Sequence, residues 1–209
     1  VILNGIDTEA FFPDNNITKI PFRIVTTASA DVPLKGLDYL LEAFSKVIKI
    51  FPESTLQVIG SSKKGGHTSR KIKDLNIKDK VHFNKDLSFK EVRDLYCSSD
   101  VVVIPSLYEG FGFAIGEAMA CRVPVITTSG GAIPEVIGNC GITVAPGNSE
   151  ELEEAMLKLL PDENLKKSLA EKGFNRIIEH LQWKEVSKLM TECYDCLLYT
   201  SDAADDETS

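Results

Sequence analysis

Four consecutive apolar residues, Val101-Val102-Val103-Ile104, bounded by Asp100 and Pro105, constrain the fold of this chain more than any other stretch. A strand with one face in water alternates apolar and polar side chains. A strand without a polar position needs cover on both faces, as a central strand of a parallel sheet has. Other largely apolar, β-branched runs recur at residues 22–28, 56–59, 81–83, 123–127 and 142–144. Between them lie segments of helical period. Leu37, Leu40, Leu41, Phe44, Val47 and Ile48 share one helix face over residues 36–51, and Pro52 stops that helix. Ser88 and Glu91 form a capping box that opens a helix to about Cys97. Further helices are expected at residues 66–75, 112–121, 149–160, 163–180 and 183–194. Strands alternating with helices at this spacing predict an α/β fold with a doubly wound parallel sheet, Rossmann-like, without internal repeats. Such sheets bind ligands beyond the carboxyl ends of their strands. The loops after Ala28, Gly60, Phe83, Ile104 and Thr127 are therefore where function is sought.

The 209 residues, 43% of them apolar, suffice for one domain with a substantial core. Residues 1–20, which have no clear period, read as a segment leading in from an N-terminal domain not included here, and residues 21–196 as the domain itself. Residues 197–209 lose the apolar period after Tyr199 and read as a non-native, disordered tail. That tail holds four acidic residues, so residues 1–196 carry −4 of the net charge of −8. No basic field is present, which argues against a nucleic-acid partner. No apolar run reaches the ~18 residues of a membrane span. Five cysteines without framework spacing, Cys97, Cys121, Cys140, Cys193 and Cys196, fit reduced thiols and a cytoplasmic location. The Cys193-x-x-Cys196 pair has no second ligand pair nearby, and no metal site is expected. His67, His82 and His180 show no ligand spacing, and His82 is expected on the outward side of its strand. Trp183 and Tyr194 fall at apolar positions of the last helix and are expected to pack.

The segment richest in chemistry is Ser106-Leu107-Tyr108-Glu109-Gly110-Phe111-Gly112-Phe113-Ala114-Ile115-Gly116-Glu117. It leaves the most apolar strand and opens a helix. Glycines let the backbone approach a ligand, and the first helical turn offers free N–H groups with a partial positive charge. Glu109 lies on the loop, and Glu117 lies in the helix with its side chain tilted back toward the amino end. Both carboxylates can then face one pocket with an anion nest between them. Carboxylates accept from hydroxyls and amides hold phosphate, so a nucleoside diphosphate sugar suits the pair. A plain glycine turn, with Glu117 in solvent, suits the same residues equally on composition alone.

Glu109-x7-Glu117 with Gly110-Phe111-Gly112 inside it resembles the E-x7-E signature of glycosyltransferase family 4, the group 1 glycosyl transferases. The likeness extends to Asn4-Gly5-Ile6-Asp7, to Lys35-Gly36-Leu37-Asp38, to Ala118-Met119-Ala120-Cys121-x-Val123-Pro124-Val125, to Gly130-Gly131-x-x-Pro134-Glu135, to Gly141 and to Ala145-Pro146-Gly147. It covers about residues 1–196. The resemblance implies one half of a GT-B fold and a retaining transferase without metal or other cofactor. The implied partners are a nucleoside diphosphate sugar and an acceptor-binding N-terminal domain, with peripheral membrane association through that domain. It implies that Lys35, followed by Gly36, contacts the donor diphosphate. Backbone amides of Phe111, Gly112 and Phe113 would approach the transferred sugar, and those of Ala114 and Ile115 the phosphate. Glu109 would hold sugar hydroxyls near the reacting centre, and Glu117 the ribose hydroxyls. A lysine at a helix start is disfavoured unless an anion joins it.

Two departures stand out. The family's usual arginine five residues before the lysine is Ala30 here, so that either Lys63 or Lys64 substitutes or the donor binds more weakly. The family's glycine after the third strand is replaced by Lys85, which affects base recognition. An epimerase of the same fold and a non-catalytic sugar-nucleotide-binding module are the alternatives. A dinucleotide-dependent dehydrogenase is disfavoured, because no G-x-G-x-x-G follows the first strand.

Overall fold

The computed structural model describes residues 2–28 and 32–205. Six strands, β1 (Arg23–Thr27), β2 (Thr55–Ile59), β3 (Val81–Asn84), β4 (Val101–Ile104), β5 (Val125–Thr128) and β6 (Ile142–Val144), form one parallel sheet in the order β3-β2-β1-β4-β5-β6. Among the described residues eight α-helices connect and follow them: α1 (Leu37–Ile50), α2 (His67–Asp74), α3 (Phe89–Cys97), α4 (Phe113–Ala120), α5 (Ile133–Ile137), α6 (Ser149–Leu159), α7 (Glu163–Arg176) and α8 (Trp183–Asp205). None of them is long and apolar enough to cross a membrane among the described residues.

β4 bears out its sequence. All four residues are buried, and they divide by the two-residue period between two cores. Val101 and Val103 join Ile24, Leu56 and Val58 under α1 and α6. Val102 and Ile104 join Val25 and Val125 under α3, α4 and α5. The sheet order turns back on itself between β1 and β4, so their carboxyl ends open the crevice in which doubly wound folds bind ligands.

Several elements depart from expectation. Strand β5 starts at Val125 rather than at residue 123, because the Val123 N–H is spent on the Ala118 carbonyl and Pro124 has no N–H to give. Five-residue α5 is too short to display a period, and only Pro134 near its start signals it. The expected helix over 163–180 is α-helical only to Arg176 and then widens into a π-helical turn, Ile177–Leu181, with both end residues buried. That turn frees the Leu181 carbonyl to accept the Ile6 N–H at 2.6 Å, while Trp183 N–H bonds the Ile6 carbonyl. The lead-in segment is thus pinned to the domain, and Ile6 and Phe11 are core residues.

The tail expected to be disordered has a helical backbone as far as Asp205. Backbone i to i−4 bonds need no apolar face, and Ala203 and Ala204 are strong helix formers; residues 206–209 lie outside the described residues. The expectation that Trp183 and Tyr194 pack is also corrected. Trp183 lies across Gly5 but is half exposed, and Tyr194 is exposed, because α8 runs along the surface without a covering layer among the described residues. His82 is exposed on β3, as its alternation predicts.

A buried ion pair ties the last helices to the sheet. Asp100, just before β4, accepts the Phe22 N–H at 2.6 Å and lies 3.2 Å from Lys166 Nζ on α7, with both side chains less than a tenth exposed. Removing one partner leaves the other charge buried and uncompensated. Lys166→Met should therefore lower the unfolding free energy by about 3 kcal/mol, read from urea denaturation; a loss below about 0.5 kcal/mol, the range of ordinary surface changes, would show the pair to be immaterial.

Candidate functional site

The crevice between β1 and β4 is a cleft of about 310 Å³ lined by Thr27, Lys35, Ile104, Glu109, Phe111, Gly112, Phe113, Ala114 and Glu117. Six of these come from the loop after β4 and the first turns of α4. A second cavity of similar volume, about 320 Å³, lies at the amino ends of the strands, lined among others by Asp100, Arg122 and Lys166. Four of its charges already face one another in ion pairs, Lys166 with Asp100 and Arg122 with Glu171. The switch-point cleft instead combines helix amides with carboxylates, and it is the candidate site.

Lys35 ends a short 3-10 turn, Pro33–Lys35, and Gly36 follows in the left-handed region at φ 65°. A Cβ on Gly36 would lie 1.9 Å from the Pro105 carbonyl oxygen, so only glycine lets this turn lie against the end of β4. Gly36 therefore positions Lys35 rather than lining the cleft. Lys35 Nζ donates to Glu109 Oε1 at 2.7 Å, and Ser106 Oγ donates to the same oxygen at 2.6 Å. Glu109 is the anion that the lysine's place before α1 calls for, so in the free chain that place is already compensated.

The loop carrying Glu109 is braced from behind. The Leu107 N–H donates to Leu34 at 2.8 Å, Glu109 N–H to Gly130 at 3.4 Å, and Ala132 N–H to Glu109 at 2.9 Å. A Cβ on Gly131, which has φ 68°, would lie 2.3 Å from the Glu109 carbonyl oxygen. Gly130 and Gly131 thus support the site without lining it, a role that their place in a glycine-rich motif signals but does not specify.

Helix α4 follows Gly112, and its first bond runs from Ile115 N–H to the Gly112 carbonyl at 3.0 Å. The N–H groups of Phe113 and Ala114 precede it and open toward the cleft end. The structure does not bring Ile115 to the cleft: its side chain is fully buried and its amide is committed to Gly112. Phe111 is buried, and its ring packs edge-on against half-exposed Phe113 at 4.8 Å.

Glu117 is largely buried, and desolvation pushes its carboxyl up to about 7, opposed by a hydrogen bond from the Tyr96 phenol. Tyr96 itself is fully buried and reaches Thr27 Oγ1 at 3.0 Å; burial raises its phenol well above the usual range. Sequence reasoning missed Tyr96 and Thr27, since an apolar position in a covering helix and a strand residue carry no chemical signal. Lys63 and Lys64 are exposed and outside the cleft, and Ala30 lies outside the described residues. None of the three histidines lines it; His67 pairs with Asp38 at 2.6 Å. No cluster of three or more His, Cys, Asp or Glu suited to a metal ion occurs among the described residues.

A six-stranded parallel sheet in this order, with such a cleft at its switch point, defines a Rossmann-like half of the GT-B glycosyltransferase fold. Solved structures share it. The C-terminal domain of a glycosyl transferase group 1 family protein (LpcC) from Francisella tularensis superposes with TM-score 0.75 at 26% identity, over 86% of this chain and all of that one. A sucrose-phosphate synthase from Thermosynechococcus elongatus gives TM-score 0.82 at 24% identity, over 95% of this chain and 52% of that one. The chain belongs to the glycosyl transferases group 1, which it matches over residues 21–162. It is 35% identical over 198 residues to MMP alpha-(1->4)-mannosyltransferase of Mycolicibacterium hassiacum, covering 93% of this chain and 47% of that protein. The chain spans about half the length of the curated relatives it matches.

The Glu117 shift has a consequence for stability. Its carboxyl titrates near 4.5 when unfolded and about 7 when folded. Between those values the folded state binds more protons, so Glu117 makes the fold less stable as pH rises through that window. Glu117→Gln should therefore gain stability relative to the parent between pH 4.5 and 8, by about 1–3 kcal/mol, measured by urea denaturation at both ends. A difference that stays constant with pH would overturn the assignment.

Proposed function

We propose that this domain binds a nucleoside diphosphate sugar and, together with a second, acceptor-binding domain, transfers the sugar to an acceptor with retention of configuration and without a metal ion. The observation that carries this reading is the gathering of Lys35, Glu109, Glu117 and the α4 amino end around one cleft at the sheet's switch point. The diphosphate fits between the Lys35 ammonium and the N–H groups of Phe113 and Ala114. These supply positive charge where charge develops as the bond from sugar to phosphate breaks. Glu109, held by Lys35 and Ser106, faces the transferred sugar, with the amides of Phe111 and Gly112 close by. Glu117, deeper in the cleft, receives the ribose hydroxyls. A carboxylate that burial makes costly in the free chain is stabilised when hydroxyls donate to it.

One neighbouring fold supports the ligand class: Anabaena Alr3699/HepE has been solved with UDP, with UDP and glucose, and with UDP-glucose, at TM-scores of 0.80 to 0.84 and 21% identity. An exposed apolar surface formed by Ile2, Trp183, Met190 and Tyr194 suits a second domain packed beside α8. A cleft open on one side positions no acceptor and excludes no water. The chain alone should therefore bind nucleoside diphosphates without transferring sugar.

Calorimetric titration of this chain with UDP, GDP and ADP and with the corresponding nucleosides tests the reading. Lys35→Ala should weaken the best diphosphate by about 10- to 100-fold, from a charge-assisted contact of about 1.5–3 kcal/mol, and leave the nucleoside unchanged. Equal losses for both would remove Lys35 from the phosphate site. In a complete two-domain enzyme the carboxylates should separate. Glu117→Gln removes a contact equal in substrate and transition state, so that KM rises and kcat holds. Glu109→Gln should lower kcat by about 100-fold, the typical loss of one transition-state contact. The opposite pattern would reverse the two roles, and a chelator that abolished turnover would overturn metal independence.

A further inference from the structure

One ammonium in the cleft has two claims on it. Lys35 Nζ donates to Glu109 Oε1 at 2.7 Å, and the same lysine is the cation placed to meet a diphosphate. Both residues line the cleft, with the Lys35 side chain 37% and the Glu109 side chain 17% exposed. Glu109 is not free to swing aside and release the lysine. Ser106, itself fully buried, donates from Oγ to the same carboxylate oxygen at 2.6 Å. The Glu109 backbone is held on both sides, its N–H by Gly130 and its carbonyl by Ala132. An anion that draws on Lys35 therefore comes to lie beside a fixed carboxylate. Lys35 has three N–H groups and can be shared, but a shared cation compensates each partner less than an undivided one does. Like charges at such range oppose each other, and more so where water is partly excluded.

The size of that opposition depends on what the anion brings with it. A nucleoside diphosphate sugar brings hydroxyls, which donate to a carboxylate and replace what the lysine withdraws. A free nucleoside diphosphate brings no sugar hydroxyls to Glu109. Its terminal phosphate, with a second ionisation at about pH 6, also holds about one more negative charge at neutral pH than the sugar ester does. We propose that Glu109 competes with the diphosphate for Lys35, so that the cleft discriminates against the sugar-free nucleoside diphosphate and takes the lysine back as that product leaves. Glu109 then has a role in product release, separate from its contact with the transferred sugar. This rests on the assignment of the cleft to a nucleoside diphosphate donor.

The test is calorimetric, on the intact chain at neutral pH, with UDP, GDP and ADP and with UDP-glucose, GDP-mannose and ADP-glucose. The base that binds best is kept, and the quantity read is the ratio of sugar-nucleotide to diphosphate affinity. Glu109→Gln keeps the shape of the side chain and removes its charge. It should tighten the free diphosphate by about fivefold, the effect of one partly exposed charge pair. The sugar nucleotide should become no tighter, since it loses the carboxylate that its hydroxyls meet, and the ratio should fall. A gain in affinity is the decisive sign, because damage to the fold can only lower it. Glu109→Ala also removes the charge and carries the same expectation, should the glutamine variant fail to fold. Weaker or unchanged binding of the free diphosphate in both variants, or equal tightening of both ligands, would overturn the inference and leave the donor site in place. A parent chain that binds none of the diphosphates would overturn the assignment of the cleft, and this inference with it.

Discussion

The hydrogen bond from the Leu107 N–H to the Leu34 carbonyl, 2.8 Å long, is the link on which the site depends. It joins the loop leaving β1 to the loop leaving β4, across the place where the sheet order reverses. Without it, Lys35 and Glu109 would lie on two surface loops free to part. A second set of bonds ties the β4 loop to the loop after β5, through Glu109 and Gly130, Ala132 and Glu109, and the Thr128 hydroxyl on the Ser106 carbonyl. Three loops from three strands thus behave as one support. The glycines at 36 and 131 are the residues that let the chains come this close.

On that support the two carboxylates acquire different characters. Glu109 receives donors from Lys35 and Ser106 in the free chain and is held in place before any ligand arrives. Glu117 is enclosed by apolar helix and strand, with a neutral phenol as its partner, and its carboxyl is pushed up to about 7. The fold bears an electrostatic cost at Glu117 that hydroxyl donors can relieve. Two residues of the same type eight positions apart can therefore divide into a preset group and a responsive one, because burial and partners differ, not chemistry.

How much of this the sequence discloses depends on the range over which each signal acts. The central strand, the helix with the Leu37 to Val47 face, the Ser88 capping box and the joint placement of Glu109 and Glu117 are local patterns, and all were legible. The family resemblance added Lys35 and the glycine pairs. What stayed hidden is non-local. The Lys35 to Glu109 pair spans 74 residues, and Thr27 to Tyr96 spans 69. Tyr96 reads as one more apolar position in a helix, since nothing next to it in sequence says that its hydroxyl meets the Thr27 hydroxyl from β1. Ile115 misleads in the other direction. Its place in the motif suggests an amide offered to phosphate, but a tight first turn spends that amide on Gly112.

The apolar side chains left uncovered also carry information about the division of labour. Phe113 lines the cleft, Leu34 and Tyr108 stand next in sequence to Lys35 and Glu109, and Trp183, Leu189, Met190 and Tyr194 lie along α8, all of them about 40% exposed or more. Scattered exposed apolar residues need no explanation, but groups of large ones mark surfaces that meet something else. The donor-side machinery is, by contrast, internally satisfied: Glu109, Ser106, Lys35, Tyr96 and Thr27 all have partners within this domain. A domain whose binding residues are preorganised, while its open side and last helix remain apolar, is suited to closing against a second domain. In the proposed two-domain enzyme, that contact would exclude water from the reacting bond while requiring no rearrangement of the groups that hold the donor.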